Sequence, residues 1–306
     1  MPAIEVEGLR KSYGEVEAVR DISFAVEEGE VFALLGPNGA GKTTTVEILE
    51  GYRSRDAGRV SVLGADPERA DRRLKEQTGI VLQTTGVELY LTVAETIDMF
   101  RGYYPRPRSL EEILELVGLQ EQRDRRVGKL SGGQQRRLDV AVALAGDPTV
   151  LFLDEPTTGF DPGARRNAWG LVKNLASLGK TIFLTTHYMD EAQYLANRVA
   201  IISGGEIVAE GPPGTLAGRQ TAATTIRFRQ PPGSALPDWA RGLASVTDGI
   251  VEIRSEDPTR ALHDLTGWAL EQGVRLDDLQ VSRPSLEDVY LEITAAGTAE
   301  AERQRE

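Results

Sequence analysis

Three short segments of this chain hold residue types whose order suits chemistry on phosphate groups. Gly36-Pro37-Asn38-Gly39-Ala40-Gly41-Lys42-Thr43 fits the G-x-x-x-x-G-K-[ST] pattern of a phosphate-binding loop. Its glycines, Gly36, Gly39 and Gly41, let backbone N–H groups close around phosphates where a helix begins. Lys42 would reach the β- and γ-phosphates and the Thr43 hydroxyl would ligate Mg2+, with Asn38 and Thr44 in the same candidate binding set. In Val150-Leu151-Phe152-Leu153-Asp154-Glu155, four apolar residues would carry Asp154 to the end of a buried strand. There Asp154 can hold magnesium directly or through water, and Glu155 can polarise an attacking water as a general base. An apolar run ending in two acids is by itself usually a strand end meeting solvent; beside a phosphate loop it reads as catalytic. The third segment, Leu130-Ser131-Gly132-Gly133-Gln134, puts a serine and two glycines at a helix start, which makes a second anion cradle. A lone phosphate-loop domain has no use for two cradles.

The elements that must position these segments follow from the hydrophobic pattern. Alternation predicts strands over 4–6 and 21–26 around a turn at Tyr13-Gly14. Short, wholly apolar runs predict buried strands over 31–35, 79–83, 150–154, 181–185 and 199–203. Helical spacing predicts helices over 43–49, 93–103, 109–117, 133–145, 164–178 and 189–196. Strands alternating with helices imply an α/β fold with a mostly parallel sheet covered on both faces. The pattern changes near Gly211-Pro212-Pro213-Gly214, after which a small α+β appendage is expected. It comprises a strand over 225–229, a hairpin turning at Asp248-Gly249, a helix over 258–272, a strand over 276–281 and a helix over 285–294.

Composition narrows the function classes. Apolar content of 40% and charged content of 27% are those of a globular protein with a proper core. A formal net charge of -12 repels phosphate backbones and argues against a nucleic-acid partner. The absence of cysteine removes disulfides, thiolate zinc sites and Cys nucleophiles together. The opening residues lack the basic-then-apolar pattern of a signal peptide, and no run reaches the roughly 18 apolar residues of a membrane span. Any action on a membrane is therefore expected to go through a partner.

The pentapeptide 130–134, placed shortly before the strand 150–154, resembles the signature of the ABC ATPase family. The resemblance covers roughly residues 3–218 and implies the family's fold: a P-loop core of mostly parallel sheet with an antiparallel β subdomain and a helical subdomain. It implies ATP and Mg2+ as ligands and an ATPase of translocase type. It also implies that Ser131, Gly132, Gly133 and Gln134 cap the γ-phosphate of ATP held by the opposite protomer. Four further positions match in order. Tyr13 falls where an aromatic ring stacks on adenine, and Gln83 where a glutamine contacts magnesium and the water. Asp161 falls where an aspartate crosses the dimer interface, and His187 where a histidine contacts the γ-phosphate. Phe160 departs from the leucine common before that aspartate, which touches only how the loop packs.

Gln134-Gln135-Arg136-Arg137, the run from Thr157 to Pro162, and Arg283-Pro284-Ser285-Leu286-Glu287-Asp288-Val289-Tyr290 look like the drug-export group that includes the daunorubicin-resistance ATPases. That likeness implies an ABC-2 type permease as partner, a second nucleotide-binding domain expected to be another copy of this chain, and a peripheral place on the cytoplasmic face of the membrane, touched only through the permease. The expected domains are 1–218 for nucleotide binding, 219–295 as an accessory α+β domain, and 296–306 as a disordered tail. Two rivals stand beside this reading. A soluble ABC ATPase of ribosome or DNA usually carries two ATP domains or a coiled-coil insert and basic surface, none of which is seen here. A regulatory module without turnover usually loses its acid or histidine, whereas Glu155 and His187 are both present.

Overall fold

The structure, a computed structural model, describes residues 2–69, 72–81, 86–216, 223–231, 235–283, 285–288 and 290. The chain divides into two compact units, Met1–Pro213 and Gly214–Glu306.

The first unit opens with a hairpin of β1 (Pro2–Tyr13) and β2 (Val16–Glu27). β3 (Val31–Leu35) is buried throughout and runs into the phosphate loop and α1 (Lys42–Leu49), followed by β4 (Ala57–Val62). Next come α2 (Arg72–Gln77), β5 (Thr78–Val81), α3 (Val93–Arg101), α4 (Leu110–Val117) and α5 (Gly132–Ala143). β6 (Val150–Asp154), α6 (Pro162–Ser177), β7 (Thr181–Thr186), α7 (Met189–Leu195), β8 (Arg198–Ser203) and β9 (Glu206–Gly211) complete it.

Among the described residues these strands form two sheets. The larger runs β5-β6-β7-β3-β8-β9, parallel except for β9, which pairs antiparallel with β8. The smaller is antiparallel, β2-β1-β4. Phenylalanines join them: Phe24 of the small sheet stacks on Phe32 of the large one at 5.3 Å between centroids, and Phe32 on Phe183 at 5.7 Å. Each such ring contributes about 2–3 kcal/mol by burial. The core thus fixes β3, β6 and β7 side by side, with their carboxyl ends at one edge of the sheet, where ligand sites of parallel sheets form.

The structure extends the two short strands expected at the start into one long hairpin. Register shifts between Val6 and Leu9, and the left-handed backbone of Asp21 (φ 57°), interrupt the alternation without ending the pairing. β4 and β9 were not foreseen: both lie at sheet edges, so their residues are too polar to give a clean hydrophobic pattern. The strand expected over 79–83 is seen as far as Val81, and residues 82–85, Gln83 among them, lie outside the described residues. No helix among the described residues is long and apolar enough to cross a membrane.

The second unit holds β10 (Thr224–Arg229), α8 (Asp238–Arg241), β11 (Ala244–Thr247), β12 (Ile250–Ser255), α9 (Pro258–Glu271) and β13 (Asp277–Ser282). Its antiparallel sheet runs β11-β12-β10-β13. Asp248 and Gly249, with φ of 51° and 75°, make the tight turn between β11 and β12. Ile226, Phe228, Val251 and Ile253 form its core with Leu265 of α9, a helix capped by Asp257 and started by Pro258. Of the helix expected over 285–294, Ser285 and Asp288 hydrogen-bond each other reciprocally, while 289 and 291–294 lie outside the described residues. The tail 296–306 lies outside them as well.

Candidate functional site

The phosphate loop leaves β3 under tight steric control. A Cβ at Gly36 would lie 2.3 Å from the Ile202 carbonyl oxygen, and at Gly41, where φ is +105°, it would lie 2.4 Å from that of Ala18. Both positions therefore require glycine. Gly41 also occupies the N-cap position of α1, so Lys42 and Thr43 stand in its first turn, where free N–H groups favour anions. The Lys42 side chain is buried and its Nζ donates to the carbonyls of Gly36 (2.8 Å) and Pro37 (3.1 Å). The same Nζ lies 3.3 Å from Glu155 Oε1.

Asp154 ends β6 beside β7, buried and accepting a short hydrogen bond from the Thr185 hydroxyl. Burial pushes its carboxyl pKa up and Glu155 adds to this, against the Thr185 hydrogen bond and the charge of Lys42. A cation beside it would relieve that cost. Glu155 sits in the left-handed region at φ 45°, held there by its N–H donating to the Thr185 carbonyl at 3.2 Å and the Thr185 Oγ1 at 3.1 Å. Its Oε2 accepts from the Thr158 hydroxyl at 3.0 Å and lies 3.3 Å from His187 Nδ1, off a hydrogen-bonding direction. Burial pushes this carboxyl upward, but the Thr158 hydrogen bond and the charges of Lys42 and His187 leave it below the usual range. Glu155 is thus an ionised carboxylate.

One cleft of about 640 Å³ is lined by Tyr13, Asn38, Gly39, Gly41, Lys42, Thr43, Thr44, Glu155 and His187. Its contents suit a nucleotide triphosphate: an exposed aromatic ring at one end, an N–H cradle and ammonium in the middle, a carboxylate base beyond. The donor set also suits magnesium. Among the described residues no three His, Cys, Asp or Glu side chains converge on a metal site, and magnesium typically takes one or two protein oxygens, for which Thr43 and Asp154 are the candidates, with phosphates and waters completing its shell.

A half-buried acid flanks this site unused. Glu50, at the C-terminal end of α1, has an Oε1 with no hydrogen-bond partner, and burial, then the charges of Asp154 and Glu47, raise its pKa to about 8. A carboxyl raised in the folded state contributes stability below its unfolded value of 4.5 and loses it as pH climbs through about 8. Glu50→Gln should therefore melt above the parent near pH 8, by on the order of a few kcal/mol, and close to it near pH 4.5. Thermal unfolding at both values checks this, and superimposable pH profiles for the two proteins would assign the titration elsewhere.

The segment 130–134 does not line that cleft. Ser131 caps α5: its hydroxyl accepts from the Gln134 N–H at 3.4 Å, and Gln134 Oε1 accepts from the Ser131 N–H at 3.0 Å. A Cβ at Gly132 would meet nothing within 4 Å, and one at Gly133 only the Ala164 Cβ at 4.0 Å. Nothing among the described residues therefore demands glycine there, and the open backbone faces outward. Ser131, Gly132 and Gly133 line a second cavity of about 620 Å³ that also contains Asp161 and meets the first at Thr158. Asp161 caps α6, accepting from the Gly163 and Ala164 N–H groups at 2.8 and 2.9 Å.

The sequence reading missed several side chains that hold the site in shape. Thr158 and Thr185 bond the two carboxylates. Arg136 of α5 donates to the backbone carbonyls of Asp154 (3.2 Å) and Pro156 (3.1 Å), tying the helix after the serine-glycine segment to the end of β6. Buried Glu191 of α7 accepts from Thr157 Oγ1 at 2.8 Å and Trp169 Nε1 at 2.9 Å. Arg136, just after the glycines, and Thr157 and Thr158, in the run 157–162, carried a sequence signal, though only as marks of family likeness.

Comparison with known proteins bears on this geometry. The family model for ABC transporters matches residues 19–158, and one for the C-terminal domain of ABC transporter domain-containing-like proteins matches 224–285. The daunorubicin resistance ATP-binding protein DrrA2 of Streptomyces coeruleorubidus is 37% identical over 318 residues, covering 98% of this chain and 97% of its own. The Nod factor export ATP-binding protein I of Paraburkholderia xenovorans is 39% identical over 298 residues, covering 95% and 97%. Among solved structures, the dimeric post-hydrolysis state of the ATP-binding cassette MJ0796 bound to ADP and Pi superposes with a TM-score of 0.61 at 26% identity, covering 68% of this chain and 98% of that one.

Proposed function

The chain belongs to the ABC transporter ATP-binding family, and from that membership we propose how its residues divide the work of ATP hydrolysis and what they drive. It is the ATPase subunit of an exporter. Tyr13 stacks on adenine; the backbone of Gly36, Asn38, Gly39 and Gly41, with Lys42, Thr43 and Thr44, holds the phosphates. Thr43, Asp154 and Gln83 would hold magnesium, which would neutralise charge developing on the phosphate oxygens. Glu155 takes a proton from the attacking water, which it aligns together with His187. Ser131, Gly132, Gly133 and Gln134 of a second copy close over the γ-phosphate, and Asp161 crosses between the copies.

One observation carries the shared site: among the described residues Gly132 and Gly133 stand clear of every side chain that a Cβ would crowd, and neither lines the cleft holding Lys42 and Glu155. A second cradle open to the outside and a phosphate cleft that it does not line can complement each other across a two-fold axis. The relatives named for drug resistance and Nod factor export support a membrane partner of ABC-2 type, held at the cytoplasmic face, that exports a drug, antibiotic, lipid or similar compound. Affinity isolation from detergent-solubilised membranes tests the partner. It should retrieve a polytopic permease of that type in stoichiometric amount; ribosomal or DNA-bound proteins in its place would contradict the proposal.

A further inference from the structure

Beyond the residues that touch nucleotide, the segment after α1 reaches back to the ring of Tyr13. Gly51, at φ 77°, turns the chain at the end of the helix, and the N–H groups of Tyr52 and Arg53 both donate to the Glu47 carbonyl, at 2.9 and 3.1 Å. Arg53 is thereby fixed to the helix that carries Lys42 and Thr43. Its guanidinium donates to Glu47 Oε2 at 2.5 Å and lies 5.2 Å from the centroid of the Tyr13 ring. Asp56 secures the same segment to the end of β1: it accepts from Lys11 Nζ and from the Ser12 N–H, both at 2.7 Å, and Lys11 Nζ lies 5.8 Å from the ring centroid. Tyr13 is 41% exposed beside the turn at Gly14. Cations over its face are therefore the contacts that restrain an otherwise open ring.

We propose that Arg53, anchored on Glu47, is a positioning residue that holds the Tyr13 ring at a fixed distance from the phosphate loop, so that base and phosphates of one nucleotide are engaged together. This rests on the reading of Tyr13 as the adenine platform. The rigid path is short: Lys42 and Glu47 share one helix, Arg53 is tied to Glu47 by backbone and side chain, and Arg53 meets the ring. Losing the guanidinium lets the ring swing, which penalises ligands with a base and spares ligands without one.

The test is steady-state ATPase activity of the full chain, with inorganic tripolyphosphate as a competing ligand that lacks the base. Arg53→Ala should raise KM for ATP about two- to fivefold, with kcat held and tripolyphosphate inhibition unchanged. Glu47→Gln should raise KM similarly, the double variant no further, and Arg53→Lys should recover part of the loss. Tyr13→Ala, assayed in parallel, should raise KM at least as much. If Tyr13→Ala leaves KM unaltered, the adenine platform fails and the strut with it. If Tyr13→Ala raises KM and Arg53→Ala does not, the strut alone is overturned. Equal weakening of ATP and tripolyphosphate by Arg53→Ala also overturns it, since that marks a disturbance of the phosphate loop.

Discussion

Glu155→Gln should keep ATP binding and lose turnover by about 100-fold or more, because an amide of the same shape is far too weak a base to take the proton from water. The surroundings of Glu155 favour this size of effect. Its carboxylate is kept ionised by Thr158, Lys42 and His187 against the cost of burial, and its backbone is held at φ 45° by Thr185. That geometry places one charged oxygen against Lys42 at 3.3 Å and the other toward His187 at 3.3 Å. Glutamine fits the same space, so the fold and the cleft persist while the base is lost. ATP then stays bound and an ATP-bound dimer accumulates. Phosphate release together with size-exclusion chromatography in ATP reads both effects; turnover within a few fold of the parent would rule out Glu155 as the base.

The second large effect comes from splitting the shared site. Lys42→Ala removes the ammonium proposed to reach the phosphates, and Ser131→Arg puts a bulky cation where the second cradle is proposed to close. Each variant alone should be nearly inactive. Replacing Ser131 also removes its capping hydrogen bond to Gln134, a loss of about 1 kcal/mol that the fold tolerates. Mixed in equal amounts, the two variants form hybrid dimers in which one site unites an intact Lys42 with an intact Ser131 while the other has neither. With half the dimers hybrid and half their sites whole, activity should return to about a quarter of the parent value if sites work independently. Phosphate release before and after mixing measures it, and no recovery would mean that each chain assembles its own site.

What the sequence makes legible here is chemistry written in consecutive residues. The loop 36–43 is readable because its glycines, lysine and threonine act through one turn of backbone, and Asp154-Glu155 because four apolar residues announce the strand that carries them. The long hairpin β1–β2 was only half visible, since its register shifts break the alternation that marks a strand. The edge strands β4 and β9 were not foreseen because one-sided exposure makes them polar. Thr158, Thr185 and the Glu191-Thr157-Trp169 group were missed for another reason. Most of their roles arise from contacts between segments far apart in sequence, such as Thr185 with Asp154 across adjacent strands, and a threonine on a buried strand looks the same whether or not a carboxylate lies beside it. Arg53 is of the same kind: nothing in Gly51-Tyr52-Arg53 indicates that the chain folds back onto the turn at Tyr13.

The most direct measurement of the central claim is phosphate release per mole of purified wild-type chain as its concentration is varied at saturating Mg-ATP. A site completed by Ser131, Gly132 and Gly133 of a second copy predicts specific activity that rises with protein concentration and levels off as the dimer saturates. Specific activity that stays constant down to concentrations where the chain is monomeric would contradict it.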